Sequence, residues 1–510
     1  MTGVINSLKP YLIVFTASAC GLIIEIVAGR ILAPSIGVSL YTWTSIIGVV
    51  LAGISLGNFT GGLIADRFPY PATLGFILLA SGIASIAILP LLELTDQPFL
   101  ALPILPRIVL LTTALFLLPS ILLGMVTPVV IKLNLTDLTQ TGNVVGRIYA
   151  VSTAGSILGT FLTGFVLIQT LGTRTVILGV SVALVVMAVA FGNLWRARWP
   201  GIAMGAMFVG VTLLAVLIGS LDSVCMRESN YFCIKVRARD VDGREVRVLY
   251  LDALLHSYSD IDDPYYLRYS YEKVFADLAT YIGRTDPDMD VLFIGGGGYT
   301  MPRFLEAVYP RSNLEVVEID PEVTEIATDY LGLSRRTRIV TYNEDARTKL
   351  QQLEVGKYEM VMGDAFNDVS VPYHLTTLEF NDQVKGLLTD DGIYAVNIVD
   401  KMYGGRFLRS FVHTMRETFD HVYVIRDDTR WTSDDRYTFV VAASDEPIAQ
   451  ARVEEANILE ERFTVVTEFM PQSAFLEWQN FQDNALLTDD FVPVDGMLAP
   501  LYLESRAIPR

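Results

Sequence analysis

The stretch Asp290-Val-Leu-Phe-Ile-Gly-Gly-Gly-Gly298 decides the fold of the second half of the chain. Its first five residues predict a buried β-strand. The glycine run predicts a loop whose backbone N–H groups approach a ligand closely, before a helix that starts near Pro302. The next predicted strand, 314–319, ends in Glu318-Ile-Asp-Pro321. A carboxylate at position 318 can accept hydrogen bonds from both hydroxyls of a ribose, so the two strands indicate a nucleoside site.

Further strands are predicted downstream, with helices between most of them, at 337–341, 358–363, 391–398, 421–426 and 436–443. This alternation implies a mostly parallel, Rossmann-like sheet with its ligand at the carboxyl ends of the strands. Glu344-Asp-Ala346 follows the third strand of the sheet, where a carboxylate can bind an adenine amino group. Asp364 follows the fourth strand, where a side chain faces the reacting end of the ligand. Thr300 replaces the last glycine of Gly-x-Gly-x-x-Gly, which excludes the dinucleotide fingerprint.

The composition separates two kinds of domain within the 510 residues, of which 52% are hydrophobic and 18% charged. Residues 1–220 hold nine Lys/Arg and five Asp/Glu, a net of +4, while the remainder holds 29 and 51, a net of −22. Together with a mean hydropathy of +0.42, this excludes a disordered chain, a collagen-like chain, a disulfide scaffold and a basic nucleic-acid binder. A membrane domain followed by an acidic soluble domain remains.

The first 220 residues predict a multi-span helical membrane domain, because each apolar stretch approaches the roughly 20 residues that cross a bilayer. Seven spans are predicted, at about 11–33, 38–64, 72–92, 104–131, 146–171, 174–194 and 201–220. No cleavable signal pattern precedes the first span, so we expect it to be retained. Small residues such as Gly57 and Gly155 are typical of close helix packing in lipid.

One acid, Glu25, lies deep in a predicted span, five residues before Arg30. A carboxylate in that place indicates either a functional site or a structural ion pair with Arg30 or with another helix, and both alternatives stay open. Basic residues near the span ends number six on the amino-terminal side and seven on the other side. The positive-inside rule therefore does not orient the domain.

The soluble part is predicted to have three segments: a small β-structure with a linking helix at 221–289, the Rossmann-like domain at 290–445, and an acidic extension at 446–510 that packs on it. The strands 231–236 and 245–251 are joined by a turn at Asp242-Gly243. Cys225 and Cys233 could form a disulfide on an oxidising side of the membrane. Because the chain has only three cysteines, we expect these two to be free thiols.

The run from about Glu228 to Val399 resembles spermidine synthase and related aminopropyltransferases. The resemblance rests on Val291 to Gly298, Val317-Glu-Ile-Asp-Pro321, Glu344-Asp-Ala346, Tyr358 to Asp364, and Leu375-Thr-Thr-Leu-Glu-Phe380. The whole chain, including Thr488 to Asp495, is similar to bacterial proteins that fuse a multi-span domain to such a domain. The resemblance implies an α/β domain of the class I S-adenosylmethionine-binding type after the helical membrane domain. A methyltransferase with the same core is the nearest competing interpretation.

The resemblance also implies roles for individual residues. The nucleoside of a sulfonium substrate would be bound by the glycine loop, the acid of the second strand and the pair after the third: Gly295, Gly296, Gly297, Gly298, Glu318, Asp345 and Ala346. In this assignment Glu318 binds the ribose, and Asp345 and Ala346 contact the adenine. Asp364 matches the acid that helps to deprotonate an attacking amine, although such a residue can also be a helix N-cap.

Several positions depart from the family pattern. Gly298 stands where the family has an aspartate that binds the ammonium of decarboxylated S-adenosylmethionine and disfavours the intact form, whose carboxylate it repels. His256 replaces a glutamine, and Tyr269-Ser-Tyr-Glu272 replaces the Tyr-His-Glu acceptor motif. The loop after Asp364 lacks the family's Asp-Pro-x-Gly-Pro. The elements that recognise a diamine are largely missing, while those that bind the nucleoside are intact.

These departures favour an enzyme that acts on intact S-adenosylmethionine alone. The substrate's own carboxylate would attack Cγ and release 5′-methylthioadenosine and homoserine lactone, chiefly through positioning. Asp364 would orient the ammonium or stabilise the sulfonium, and Tyr269 or Tyr271 would close the site. The alternative is an aminopropyltransferase that uses the decarboxylated form and holds putrescine or another polyamine through Glu272 or Asp368. A third possibility is a nucleoside sensor that regulates a membrane transporter.

The expected partners follow from these interpretations. The sulfonium nucleoside is a substrate, bound also through His256, and neither a tightly bound cofactor nor a metal is expected. The lipid bilayer of the cell (inner) membrane is a partner, and nucleic acid is not. The resemblance implies a homo-oligomer, at least a dimer. Because sulfonium nucleosides are made in the cytosol, we expect the catalytic domain on the cytoplasmic side.

Overall fold

The structure, a computed structural model, describes residues 2–99, 102–135, 137–194, 198–365, 371–460, 467–481 and 484–504. Contacts within the chain divide it into two units. The helical unit extends to Cys233, and the second unit begins at Ile234.

Within the described residues, the helical unit contains seven helical segments that are long and apolar enough to cross a membrane, as the sequence predicts. Its helices are α1 Thr2–Ile36, α2 Leu40–Arg67, α3 Pro71–Phe99, α4 Ile104–Gly124, α5 Val126–Asn134, α6 Thr141–Leu162, α7 Ile168–Leu171, α8 Thr173–Phe191 and α9 Arg198–Leu217. One span combines α4 with α5, and another combines α6 with α7 through the π-helical turn Thr163–Leu167. The short strand β1, Arg227–Glu228, follows the last helix.

Small residues let the backbones of these helices approach each other closely. A Cβ added to Gly57 in α2 would lie 2.1 Å from the carbonyl oxygen of Ile121 in α4, and one on Gly155 in α6 would lie 2.2 Å from that of Phe15 in α1. Neither position has room for a side chain. The prediction that these glycines serve helix packing therefore agrees with the contacts.

The pairing of Glu25 with Arg30 does not occur. The Arg30 guanidinium donates hydrogen bonds to the carbonyl oxygens of Ser229, at 2.6 Å, and Tyr231, at 2.5 Å. The Glu25 side chain is half-buried. Arg30 thus ties the end of α1 to the segment that follows α9.

Cys225 and Cys233 form a disulfide, so the expectation of free thiols is wrong. The intervening segment folds back on itself because the Ser229 hydroxyl oxygen accepts hydrogen bonds from the backbone N–H groups of Tyr231 and Phe232, at 3.0 and 2.8 Å. The two Cα atoms consequently lie 5.2 Å apart, a normal distance for a disulfide. Spacing along the sequence did not reveal this reversal.

The second unit opens with an antiparallel meander of β2 Cys233–Val241, β3 Arg244–Leu251 and β4 Leu254–Ser259. Asp242 and Gly243 both have positive φ, 56° and 80°, as a two-residue hairpin turn requires. The linking helix α10 covers Ser270–Gly283. Tyr269 is its N-cap, so the linking helix lies within the predicted segment 221–289.

The main sheet has eight strands in the order β12-β10-β11-β9-β8-β5-β6-β7. Its strands are β5 Asp290–Ile294, β6 Asn313–Val317, β7 Val340–Tyr342, β8 Tyr358–Gly363, β9 Leu388–Asp400, β10 His421–Arg426, β11 Tyr437–Ser444 and β12 Glu468–Phe469. From β9 to β7 all neighbours are parallel, whereas β11 runs antiparallel to β9 and β10. This arrangement confirms the predicted mostly parallel, Rossmann-like sheet.

Helices connect the strands and follow them: α11 Thr300–Val308, α12 Pro321–Tyr330, α13 Ala346–Leu350, α14 Leu378–Leu387, α15 Phe407–Thr418, α16 Gln450–Glu460, α17 Gln472–Gln479 and α18 Val494–Glu504. In the carboxyl-terminal segment, Trp478 is buried and donates its indole N–H to the carbonyl oxygen of Met402 at 2.5 Å. Asp489 accepts hydrogen bonds from both terminal nitrogens of Arg347, next to the predicted adenine site. The segment is thereby fixed to the sheet domain.

Candidate active site

The glycine run forms a tight loop between β5 and α11. Gly295 and Gly297 have positive φ, 97° and 48°, which glycine adopts without strain. A Cβ on Gly295 would lie 2.3 Å from the carbonyl oxygen of Asp364, because the ends of β5 and β8 are neighbours in the sheet. The loop therefore brings its backbone against the strand end that carries Asp364.

Glu318 binds this loop directly. Its Oε2 accepts hydrogen bonds from the N–H groups of Gly296 and Gly297, at 2.8 and 3.1 Å, and its Oε1 accepts one from Asp320 at 3.0 Å. The side chain is buried, and this burial raises the pKa of the carboxyl. A carboxylate offers about four lone-pair sites, so capacity for a ligand hydroxyl remains beside the loop.

Asp345 lies at the end of the neighbouring strand β7 and begins α13. Its Oδ1 accepts the N–H of Thr348 at 3.0 Å, and its Oδ2 lies 3.1 Å from Nε2 of His374. Ala346 is buried behind it. These residues lie on the ligand-facing edge of the sheet, but apart from the cavity that the Asp364 side chain lines.

Asp364 is held by two side chains from distant parts of the sequence. Its Oδ2 accepts the hydroxyl of Tyr271 at 3.0 Å, and its Oδ1 accepts the amide Nδ2 of Asn397 at 2.7 Å. Burial raises the pKa of Asp364 to about 6, although both hydrogen bonds lower it. At neutral pH the group is therefore mostly a carboxylate with a fixed orientation.

The motif that contains Tyr269 and Glu272 lies beside Asp364. The rings of Tyr269 and Tyr271 stack with centroids 5.5 Å apart, and the Tyr269 hydroxyl donates to the carbonyl oxygen of Leu255 at 3.3 Å. Glu272 accepts the N–H of Tyr269 at 3.0 Å and is almost fully buried. Burial raises the pKa of Glu272 to about 8. Two carboxyls of unequal acidity and two tyrosines thus lie together.

His256 and Ser257, from β4, line the same cavity as Asp364. The Nε2 atom of His256 and the Oγ atom of Ser257 are both buried, and within the described residues neither has a hydrogen-bond partner. Burial lowers the pKa of His256 to about 4, so its ring is neutral. A Cβ on Gly298 would lie 1.9 Å from Ser257 Oγ, which shows that the serine occupies the space beside this glycine.

These groups enclose one small cavity of about 40 Å³. Its polar lining comes from β4, α10, the glycine loop and the end of β8: His256, Ser257, Tyr271, Glu272, Gly295, Gly296, Gly297, Gly298, Thr300 and Asp364. The lining thus combines two carboxyls, those of Glu272 and Asp364, with the neutral ring of His256 and the backbone of the glycine loop.

Sequence reasoning missed two residues of this site. Asn397 was visible as a polar residue within the predicted strand 391–398, and it is almost fully buried. Ser257 carried no signal except its position next to His256. Asp368, the other predicted acceptor contact, lies outside the described residues.

A comparison with protein families matches residues 274–450 to the Spermine/spermidine synthase domain. The second half of this chain carries a spermine/spermidine synthase domain. The glycine loop, Glu318, Asp345, Asp364 and Asn397 all fall within the matched part of the synthase domain. His256 and the motif 269–272, which depart from the family pattern, precede the matched part, whereas Gly298, which also departs from it, lies within.

The relatives of the synthase domain include curated proteins and solved structures. The Polyamine aminopropyltransferase of Vibrio vulnificus (strain CMCP6) is 28% identical over 240 residues, which cover 46% of this chain and 78% of that protein. Polyamine aminopropyltransferase 2 of Ralstonia nicotianae (strain ATCC BAA-1114 / GMI1000) is 26% identical over 388 residues, 71% of this chain and 70% of that protein. Because 71% of this chain is more residues than the second unit contains, the similarity extends into the helical unit.

A crystal structure of a probable spermidine synthase from Corynebacterium glutamicum ATCC 13032 is also similar, with 22% sequence identity and a TM-score of 0.47. The similarity covers 53% of this chain and 98% of that one.

Proposed function

We propose that the synthase domain transfers an aminopropyl group from decarboxylated S-adenosylmethionine to the nitrogen of an amine such as putrescine. The observation that carries this proposal is the pair of carboxyls, Asp364 and Glu272, that line one cavity beside the glycine loop. One carboxylate can attract a cationic amine, and the other can accept its proton. The family match and the names of the relatives support the same class of reaction.

In the proposed step the amine nitrogen bonds to the aminopropyl carbon that is attached to sulfur. The carbon–sulfur bond breaks, its electron pair stays on sulfur, and 5′-methylthioadenosine leaves. Asp364 accepts the proton that the amine nitrogen loses. Its pKa of about 6 suits a base that works near neutral pH, where general base catalysis contributes roughly 10²- to 10⁴-fold.

The other residues bind and orient the two substrates. Tyr271 and Asn397 hold the two oxygens of Asp364, so that a free lone pair faces the cavity. Glu272 has its pKa raised to about 8 by burial, and a bound ammonium would draw it into the ionised form. Glu318 binds the ribose hydroxyls next to the glycine N–H groups.

A second candidate, cleavage of intact S-adenosylmethionine, is favoured by the residues at and beside Gly298. Gly298 supplies no acid for the donor's ammonium, and Ser257 and the neutral His256 do not repel a carboxylate. The substrate's carboxylate oxygen would bond to Cγ as the carbon–sulfur bond breaks, giving homoserine lactone and 5′-methylthioadenosine. The family match supports aminopropyl transfer rather than this cleavage.

The test is chromatography of purified full-length protein in detergent, incubated with decarboxylated S-adenosylmethionine plus putrescine, and separately with intact S-adenosylmethionine. We expect 5′-methylthioadenosine and an aminopropylated amine only in the first reaction. Products from the intact form alone would overturn the proposal in favour of cleavage. Binding of the nucleoside without any product would support a sensor instead.

Matched variants separate the chemistry from folding. Asp364→Asn keeps the shape of the side chain and its hydrogen bond to Tyr271, but removes the base. Asp391→Asn makes the same change at an exposed position on β9. We expect the first variant to lose activity by at least about 10²-fold and the second to retain it.

A further inference from the structure

The segment that leaves the last predicted span is closed by a disulfide and anchored to the helices. We call residues 225–233 the exit loop. Its ends are joined by the Cys225–Cys233 bond. Within it, the Glu228 carboxylate accepts the backbone N–H of Thr173, the first residue of α8, at 2.9 Å. A carboxylate at a helix N-terminus is favourably placed, so the exit loop is a built part of the helical unit.

These contacts define one face of the helical unit. Arg30 near the end of α1, Thr173 at the start of α8 and the exit loop after α9 meet there. With seven spans, the end of the first, the start of the sixth and the end of the seventh must lie on the same side of the membrane. The contacts therefore agree with the span count, and we call this side the exit face.

The two faces have similar numbers of basic residues but differ in how exposed those side chains are. On the exit face, Arg107 is buried, Arg174 is buried against Glu93 and the carbonyl oxygen of Ser220, and Arg30 is bound to carbonyls of the exit loop. Arg227, within the exit loop, is half-buried. On the opposite face, the basic side chains that are exposed within the described part of the chain are Arg67, Lys132 and Arg147, of which Lys132 pairs with Asp66 at 2.7 Å. Exposed positive charge near the bilayer is attracted to the anionic cytoplasmic leaflet by about 1 kcal/mol per residue.

We propose that the exit face is the extracytoplasmic side of the membrane and that the synthase domain lies on that side. Disulfides persist in oxidising compartments and are rare in the cytosol. The synthase unit begins at the residue after the disulfide. From there on, the described part of the chain contains no helix that qualifies as a span, so the chain does not recross within it.

This topology opposes the expectation from substrate supply. The basic residues Arg237 and Arg239 lie on strand β2 of the folded unit, and charges within a translocated domain do not set orientation. The topology does not depend on aminopropyl transfer. If both hold, a transport step must deliver the sulfonium nucleoside from the cytosol to the site, which would take amines from outside the cytoplasm.

The first experiment uses thiol labelling of the full chain. In spheroplasts that express single-cysteine additions, a membrane-impermeant maleimide should label Val355→Cys, at an exposed position of the second unit. Leu138→Cys, equally exposed but between α5 and α6 on the opposite face, should be labelled only after the membrane is opened. The reverse pattern would overturn the proposal. Labelling does not require catalysis, so its result tests the topology whether or not the proposed reaction occurs.

A second measurement examines the disulfide in the unaltered chain. Cells are quenched in acid, and the denatured protein is treated with a mass-adding thiol reagent before and after reduction. We expect one reactive thiol, that of Cys20, before reduction and three after it. Three reactive thiols without reduction would show that the exit loop is in a reducing compartment, and the proposal would be wrong.

Discussion

The space beside Gly298 offers a sharp test of the site. Gly298→Ala places a Cβ 1.9 Å from Ser257 Oγ and 2.7 Å from Ser257 Cβ, both far inside contact distance. Overpacking of this kind costs about 1–3 kcal/mol. With about 2–4 °C per kcal/mol for a domain of this size, the melting midpoint of the synthase unit should fall by about 2–12 °C.

The destabilisation caused by Gly298→Ala should depend on Ser257. Ser257→Gly removes both conflicting atoms at a cost of about 0.5–1 kcal/mol for a glycine in a strand. In the double variant Ser257→Gly/Gly298→Ala only Ser259 Oγ, at 3.2 Å, stays close to the added Cβ, so most of the overpacking should be relieved, which gives a favourable coupling of about 1–2 kcal/mol. Ser257→Ala/Gly298→Ala retains the 2.7 Å conflict and should recover only part of the loss.

The assay is thermal unfolding of the full-length protein in detergent, followed by a probe of the synthase unit. Gly386→Ala is the matched control, because an added Cβ there has no atom within 4 Å and the residue lies in α14. We expect it to be neutral or slightly stabilising. A Gly298→Ala variant as stable as the parent, or one that Ser257→Gly does not rescue, would refute the reasoning.

The remaining predictions concern charge in the same cavity. Activity should fall as the pH drops below about 6, where Asp364 gains a proton. In Tyr271→Phe this fall in the pH–activity profile should move to higher pH, because the variant removes a hydrogen bond that lowers the pKa of Asp364. The free energy of unfolding should decline as the pH rises from about 4.5 to about 8, because Glu272 favours its protonated form in the folded state. The Glu272→Gln variant should show a smaller decline when chemical denaturation is measured over the same pH range. The double variant Ser257→Gly/Gly298→Asp should raise the preference for decarboxylated over intact S-adenosylmethionine at least about tenfold. The reason is that a carboxylate at position 298 attracts the ammonium of the decarboxylated form and repels the carboxylate of the intact form. An unchanged ratio of the two kcat/KM values would show that this end of the substrate binds elsewhere.

Local patterns in the sequence predicted most of the architecture. The strand Asp290–Ile294, its glycine loop and the acid at 318 were readable because a buried strand, a sharp turn and a strand-end polar residue each leave a mark within a few residues. The apolar spans and the acidic second half were readable for the same reason. Hydropathy and charge are properties of contiguous segments, and each segment must satisfy the solvent around it.

Tertiary structure alone decided how those segments meet. Asp364 was predictable as a strand-end acid, but its partners Tyr271 and Asn397 are 93 residues before and 33 residues after it. The Cys225–Cys233 disulfide required a chain reversal around Ser229 that no spacing rule indicated, and the filling of the space beside Gly298 by Ser257 required strand β4 to pack against the glycine loop. Such contacts depend on register and close packing between distant segments, and a pattern read along one segment does not contain them.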